Sequence, residues 1–239
     1  MQFENLIKRM ESVPAGHVWL VGAGPGDPGL LTLAALRGIQ SADCIVYDAL
    51  INPVILEFAK PSSEKIFSGK RGGRPSPQQK DISFKLVELA KQGKRVVRLK
   101  GGDPFIFGRG GEEALTLYKH NIPFKIIPGI TSGIAGPSYA GIPLTHRDYN
   151  SVVSFITGHN ADNDELDKVD WTSLASSGGT LVLYMTLYRI DLIAEKLIKG
   201  GRPGDEPVAL ISNATLDKQS VKQTTLEACK NYSNSWKMD

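Results

Sequence analysis

Two cysteines, Cys44 and Cys229, are too few and too far apart for a disulfide framework or a zinc site. Cys44 precedes Ile45-Val46 and reads as a small buried hydrophobe. No apolar run approaches the ~18 residues a membrane span needs. Met1 to Pro14 lacks the apolar core of a signal peptide. A soluble, cytoplasmic chain is therefore expected. The net charge is only +3, which does not point to nucleic acid. The sequence also has no Ser-His-Asp or Cys-His pattern of nucleophilic catalysis, and no metal is expected.

Glycine and proline are plentiful, at 25 and 14 residues, and they gather in loops after short apolar runs. The richest such stretch runs from Leu99 to Glu113. A strand over Arg95–Leu99 stops at Gly101-Gly102, and Asp103-Pro104 turns the chain. Phe105 and Phe107 flank Ile106, and Gly108 to Gly111 lead into Glu112-Glu113 and an amphipathic run. Glycine allows backbone to approach a ligand closely. Open α/β sheets bind ligands beyond the carboxyl ends of their strands. This loop is therefore the first candidate ligand site.

The same pattern recurs. A strand over His17–Val21 precedes Gly22 to Gly29 and a helix from Leu30. Gly24, Gly26 and Gly29 fit G-x-G-x-x-G, and Asp48 follows the next strand near dinucleotide spacing. However, Pro25 and Pro28 carry no N–H, whereas a pyrophosphate cradle is built from such donors. The loop suits a wall beside a flat or apolar ligand better than a phosphate nest. Further strands are expected at residues 64–67, 94–99 and 124–127, with helices between them. The alternation predicts a parallel sheet. Gly141 to Asp148 reads as a linker, after which strands are expected at 152–156, 180–185, 207–212 and 220–226. The expected organisation is an arm at 1–16, an α/β domain at 17–143, a linker at 144–150 and a second α/β domain at 151–239.

The ordered strings Val21-Gly-Ala-Gly-Pro-Gly-Asp-Pro-Gly-Leu-Leu-Thr32, Val46-Tyr-Asp-Ala-Leu50, Gly69-Lys-Arg-Gly-Gly73, Leu99 to Glu113, Pro128-Gly-Ile-Thr-Ser132 and Gly141 to Asp148 resemble the tetrapyrrole (corrin/porphyrin) methyltransferases. The resemblance covers residues 17–226. The string Pro143-Leu-Thr-His-Arg-Asp148 is closer to the branch acting on uroporphyrinogen III than to later corrin-ring methylases. The resemblance implies two α/β domains with a ligand cleft between them, in a homodimer, with S-adenosylmethionine bound in the cleft. Its contacts are implied at Pro25, Gly101, Gly102, Asp103, Ile106, Thr131, Ser132, Met185 and Ala214. The implied proton acceptor is Asp48 and the implied donor Lys70. The implied reaction places methyls on C2 and C7 of uroporphyrinogen III, giving precorrin-2 and S-adenosylhomocysteine.

The residues fit that chemistry. An electron-rich pyrrole carbon is its own nucleophile, so the enzyme chiefly holds carbon and methyl in line. One base must then take a proton; Asp48 serves either as that base or as a helix cap before Asn52-Pro53. A substrate with eight carboxylates needs cations, and Lys70, Arg71, Arg74, Arg109, His146 and Arg147 all fall in loops. Lys70 is a poor acid near neutrality and is better read as pairing with a carboxylate. His146 reads equally as a structural hydrogen-bonder, and Met185 as core or as a backbone contact. There are two departures from the family pattern. Ala214 stands where glycine is frequent, and no further apolar strand follows Leu226, so either the second sheet is short by a strand or the chain is truncated. The alternatives are a nicotinamide-dependent oxidoreductase, a binding module without catalysis, and a related methylase acting on a later corrinoid or a different acceptor.

Overall fold

The computed structural model describes residues 2–69, 79–158 and 169–230. The chain divides into two compact units, Met1–Ser132 and Gly133–Asp239.

The first unit opens with helix α1 (Gln2–Arg9) and is built on a five-stranded parallel sheet. Its strands are β1 (Val18–Gly22), β2 (Cys44–Tyr47), β3 (Glu64–Phe67), β4 (Val96–Lys100) and β5 (Phe124–Ile127), in the order β3-β2-β4-β1-β5. Helices α2 (Leu33–Ser41), α3 (Gln79–Lys91) and α4 (Gly110–Lys119) lie in the crossovers. Strands β1 and β4 are buried along their whole length, as expected when both faces of a parallel sheet are covered. Trp19, Val21, Val97 and Leu99 pack with Ala35 and Ile39 of α2 on one face. Val18, Leu20 and Val96 pack with Leu86 of α3 and Leu117 of α4 on the other. Because every pairing is parallel, all five carboxyl ends lie along one edge.

Local chemistry sets the element ends. Thr32 caps α2 by accepting from the Ala35 N–H at 3.1 Å. The helix therefore starts later than Leu30, after a 3₁₀ turn over Pro28–Leu30. The run after Asn52 is also 3₁₀, over Pro53–Phe58. Gly93 follows α3 with φ of 76°, a left-handed stop that glycine adopts freely.

The lead-in is packed onto this unit rather than standing apart as an arm. Ile7 and Val13 are buried. The Val13 N–H donates to Ser41 Oγ at 3.1 Å, and Arg37 Nε donates to the Met10 carbonyl at 3.3 Å. At the amino-terminal rim of the sheet, Asp43 accepts from Lys60 Nζ at 2.7 Å and from the Arg95 N–H at 3.0 Å.

The second unit takes in α5 (Ser132–Tyr139), whose first residue closes the first unit. It continues with β6 (Val153–Thr157), α6 (Trp171–Ser176), β7 (Thr180–Tyr184), α7 (Ile190–Lys199), β8 (Pro207–Ser212), β9 (Ser220–Thr225) and α8 (Leu226–Lys230). Strands β6 and β7 pair in parallel, and β8 and β9 form an antiparallel hairpin. Ile156, Trp171, Ile193, Leu197, Leu210, Leu226 and Cys229 make its core. The stretch read as a linker is held to β7: Thr180 Oγ1 donates to the Leu144 carbonyl at 2.9 Å, and Asn150 Nδ2 donates to it at 3.2 Å. The chain after β9 turns helical as α8.

Candidate functional site

The loops at the carboxyl edge of the first unit meet through backbone alone. A Cβ on Gly22, the last residue of β1, would stand 2.5 Å from the Gly129 nitrogen and 2.6 Å from the Gly102 carbonyl oxygen. A Cβ on Gly129 would collide with that same carbonyl and with Gly22. Gly102 has φ of 66° and pairs with Gly24 in an isolated antiparallel bridge: Gly102 N–H donates to Gly24 O at 2.7 Å, and Gly24 N–H donates to Gly102 O at 3.2 Å. Three chain crossings after β1, β4 and β5 thus form a floor of peptide groups.

That floor offers few donors. The Ala23 N–H is spent on the Lys100 carbonyl, Gly29 N–H on Asp27 Oδ1, and Leu30 and Leu31 N–H on carbonyls of their own turn. Pro25 and Pro28 have none. Despite its G-x-G-x-x-G spacing, the loop is not a diphosphate nest.

Asp103 fastens two loops. Its Oδ1 accepts from Phe105 N–H at 2.8 Å and its Oδ2 from Gly129 N–H at 3.1 Å. Beside it, Gly101 lies under Leu50, where a Cβ would stand 2.9 Å from the Leu50 Cβ. Leu50 is 80% exposed, and Phe105, Ile106 and Phe107 are also open to solvent. Thr131 is buried, and Pro25 and Ser132 are half-buried. Of the residues expected to touch a ligand, Pro25, Gly101, Gly102, Asp103, Ile106 and Thr131 lie in loops at this one edge, and Ser132 opens α5 directly after the last of them.

Asp48 sits at the same edge, at the end of β2. It is not a helix cap; Asn52 fills that place, its Oδ1 accepting from Val54 N–H at 3.1 Å. Asp48 Oδ1 accepts from Leu50 N–H at 3.1 Å, and its Oδ2 lies 3.5 Å from Arg98 Nη2. Arg98 is buried and also donates from Nε to Glu113 Oε1 at 3.0 Å. Lys100 Nζ lies 3.1 Å from Glu113 Oε2, and Glu113 is fully buried. Burial, with the Arg98 charge beside it, pulls the Lys100 ammonium below the usual lysine range. Residue type alone does not single out Arg98, Lys100 and Glu113. The available signal was a pair of cations at alternate positions inside an otherwise apolar strand, Val-Val-Arg-Leu-Lys.

Lys70 and Arg71, as well as Arg74, lie outside the described residues. Arg109 is described and has φ of 59° before α4. Its guanidinium grips Glu112 with two bonds, Nε to Oε1 at 2.8 Å and Nη2 to Oε2 at 2.7 Å. That bond holds the Glu112 carboxyl below its usual range. Arg109 is thus already paired within its own turn.

In the second unit, Met185 follows β7 with φ of 56° and is exposed. Ala214 stands between Asn213 and Thr215, both of which take positive φ while Ala214 does not, so its own methyl costs no backbone strain. Gly136 of α5 makes room for it: a Cβ there would stand 3.2 Å from the Ala214 Cβ. His146 is a hydrogen-bonding residue of its turn. Its Nδ1 accepts from Asp148 N–H at 3.2 Å, and its ring lies 4.9 Å from that of Tyr149. Arg147 is exposed. Cys44 is buried, and burial pushes its thiol up to about 11. Among the described residues, no group of His, Cys, Asp and Glu is arranged to hold a metal ion, and no helix is long and apolar enough to cross a membrane.

Comparison with known proteins places these loops in context. The family Tetrapyrrole (Corrin/Porphyrin) Methylases matches residues 17–229. The chain is 54% identical over 223 residues to a uroporphyrinogen-III C-methyltransferase of Sinorhizobium sp, covering 93% of this chain and 80% of that protein. It is 51% identical to the siroheme synthase of Actinobacillus pleuropneumoniae serotype 7, of which it spans 43%. Among solved structures, it resembles uroporphyrin-III C-methyl transferase from Thermus thermophilus complexed with S-adenyl homocysteine. The TM-score is 0.76 at 37% identity, covering 90% of this chain and 86% of that one.

Proposed function

Since the chain belongs to the tetrapyrrole (corrin/porphyrin) methylases, we propose that it methylates uroporphyrinogen III at C2 and C7, giving precorrin-2 for sirohaem or cobalamin synthesis. The observation that carries this reading is the donor-poor floor where Gly22, Gly102 and Gly129 meet. It matches a diphosphate cradle poorly and fits close approach by a nucleoside.

S-adenosylmethionine, when bound, supplies an electrophilic methyl on a sulfonium. Pro25, Gly101, Gly102, Asp103, Ile106, Thr131 and Ser132 hold it in this reading, with Asp103 fixing the shape of the loops. The chain's own task is orientation, since the acceptor carbon already carries the electron pair; ideal alignment contributes up to roughly 7–11 kcal/mol. Asp48 then receives the proton released from the methylated ring. Lys70, Arg71 and Arg109 are the cations assigned to the substrate's carboxylates in this reading. The reading also takes the enzyme as a metal-free cytoplasmic homodimer.

The test is anaerobic incubation with uroporphyrinogen III and isotopically labelled S-adenosylmethionine. The expected product carries two labelled methyls per ring. A folded protein that transfers none, or that binds NAD(P) and not S-adenosylhomocysteine, overturns the reading.

A further inference from the structure

Arg98 and Lys100 lie two residues apart on β4, so their side chains leave the same face of the sheet as Val96, the face packed by Leu86 and Leu117. Two cations on that face are costly. Even a well-paired buried ion pair is often no more stabilising than apolar residues of the same volume. The cluster is better explained by what it holds in place.

Each of its bonds can be followed. Arg98 Nε is taken by Glu113 at 3.0 Å. Nη1 donates to the carbonyls of Val46 at 3.3 Å and Leu99 at 3.2 Å, and to Ser68 Oγ at 3.3 Å. That leaves Nη2 for Asp48, at 3.5 Å. Arg98 therefore ties the ends of β2, β3 and β4 to α4. Glu113 bridges its two cations, with Lys100 on its second oxygen. Arg98 is itself only 3% exposed, so it meets the ligand side only through Asp48. With Leu50 N–H on one Asp48 oxygen and Arg98 on the other, the carboxylate has little rotational freedom.

We infer that Arg98, braced by Glu113 and Lys100, is a positioning residue that aims the Asp48 carboxylate at the substrate carbon. The inference rests on the base role given to Asp48 above. It explains why a buried guanidinium, rather than an apolar side chain, occupies this point of the sheet: only a planar fork reaches five partners from four elements at once.

The variants to make are Arg98→Lys, which keeps the charge and loses the fork, and Glu113→Gln, which removes the brace. In either, kcat is expected to fall about 10- to 100-fold, a share of what a positioned base contributes. KM for both substrates should stay within about threefold, because no ligand contact is altered. Glu113→Asp should recover part of the kcat lost in Glu113→Gln. A kcat within twofold of the parent in a folded variant overturns the inference, as does a loss that falls on KM alone.

A second readout needs no substrate. The Leu50 amide, which donates to Asp48, should exchange its hydrogen about tenfold faster in whichever variant folds, while amides of β1 keep their protection. Unchanged exchange at Leu50 also overturns the inference. If the parent chain methylates nothing, the proposed function fails, and the Leu50 measurement still decides whether Arg98 holds Asp48.

Discussion

Asp103 shapes two loops with one side chain, accepting from Phe105 N–H in its own loop and from Gly129 N–H in the next. Replacing it with alanine removes both acceptors and leaves the Gly129 amide without its partner. Charge-assisted bonds of this kind are each worth about 1.5–3 kcal/mol. Asp103→Ala is therefore expected to weaken S-adenosylhomocysteine binding at least ~10-fold by calorimetry, with Asp103→Asn in between. An unchanged dissociation constant would reject the role. The sequence marked Asp103 by its place after a double glycine, but its work on Gly129, 26 residues on, depends on strand order. Glu113 was harder to read, because its neighbour Glu112 is an exposed partner of Arg109 while Glu113 is buried. Nothing in a Glu-Glu pair says which one turns inward.

At the scale of elements, β1, β4 and β5 were legible because each is a largely apolar short run closed by glycine or proline. Helix α6 was not, since six residues capped by Asp170 carry too little periodicity. Nor could the sequence show that three strand-end glycines meet. Gly129→Ala is expected to cost about 2–4 kcal/mol, because the new methyl meets backbone that cannot yield. Gly111→Ala, in the first turn of α4 with nothing within 4 Å, should be neutral or gain up to ~1 kcal/mol. Denaturant melts of the two variants decide this. Equal midpoints would mean the crossings are looser than described.

Across the whole first unit, charge is used differently at the two edges of the sheet. The amino-terminal rim carries exposed pairs, Asp43 with Lys60 and Arg95, and Glu64 with Lys94. Burial pushes the Asp43 carboxyl up, but the bonds from Lys60 and Arg95 outweigh it and leave it below its ordinary value. The Lys94 bond does the same for Glu64. A carboxylate lowered in the fold contributes stability above its unfolded pKa of about 3.9–4.3 and loses it as pH falls through the lower folded value. Asp43→Asn should therefore lower stability near neutrality by no more than ~1 kcal/mol, since the pair is partly solvated. The gap to the parent should narrow as pH falls below the ordinary carboxylate range. Urea titrations at pH 7 and pH 3 check this, and a gap that widens in acid would contradict it. The carboxyl edge instead buries Arg98, Lys100 and Glu113, where their orientation rather than their charge is what the fold exploits.

The meeting of Gly22, Gly102 and Gly129 also bears on how such a protein can diverge. Main-chain atoms are common to all twenty amino acids, so that junction holds no chemical preference that mutation could retune, and enlarging any of the three wrecks it. On the proposed function, choice among acceptor rings would then be written elsewhere, in exposed side chains such as Leu50 and Phe105 that stand clear of the junction. If the junction seats the methyl donor as proposed, that seat stays constant while the guest beside it changes.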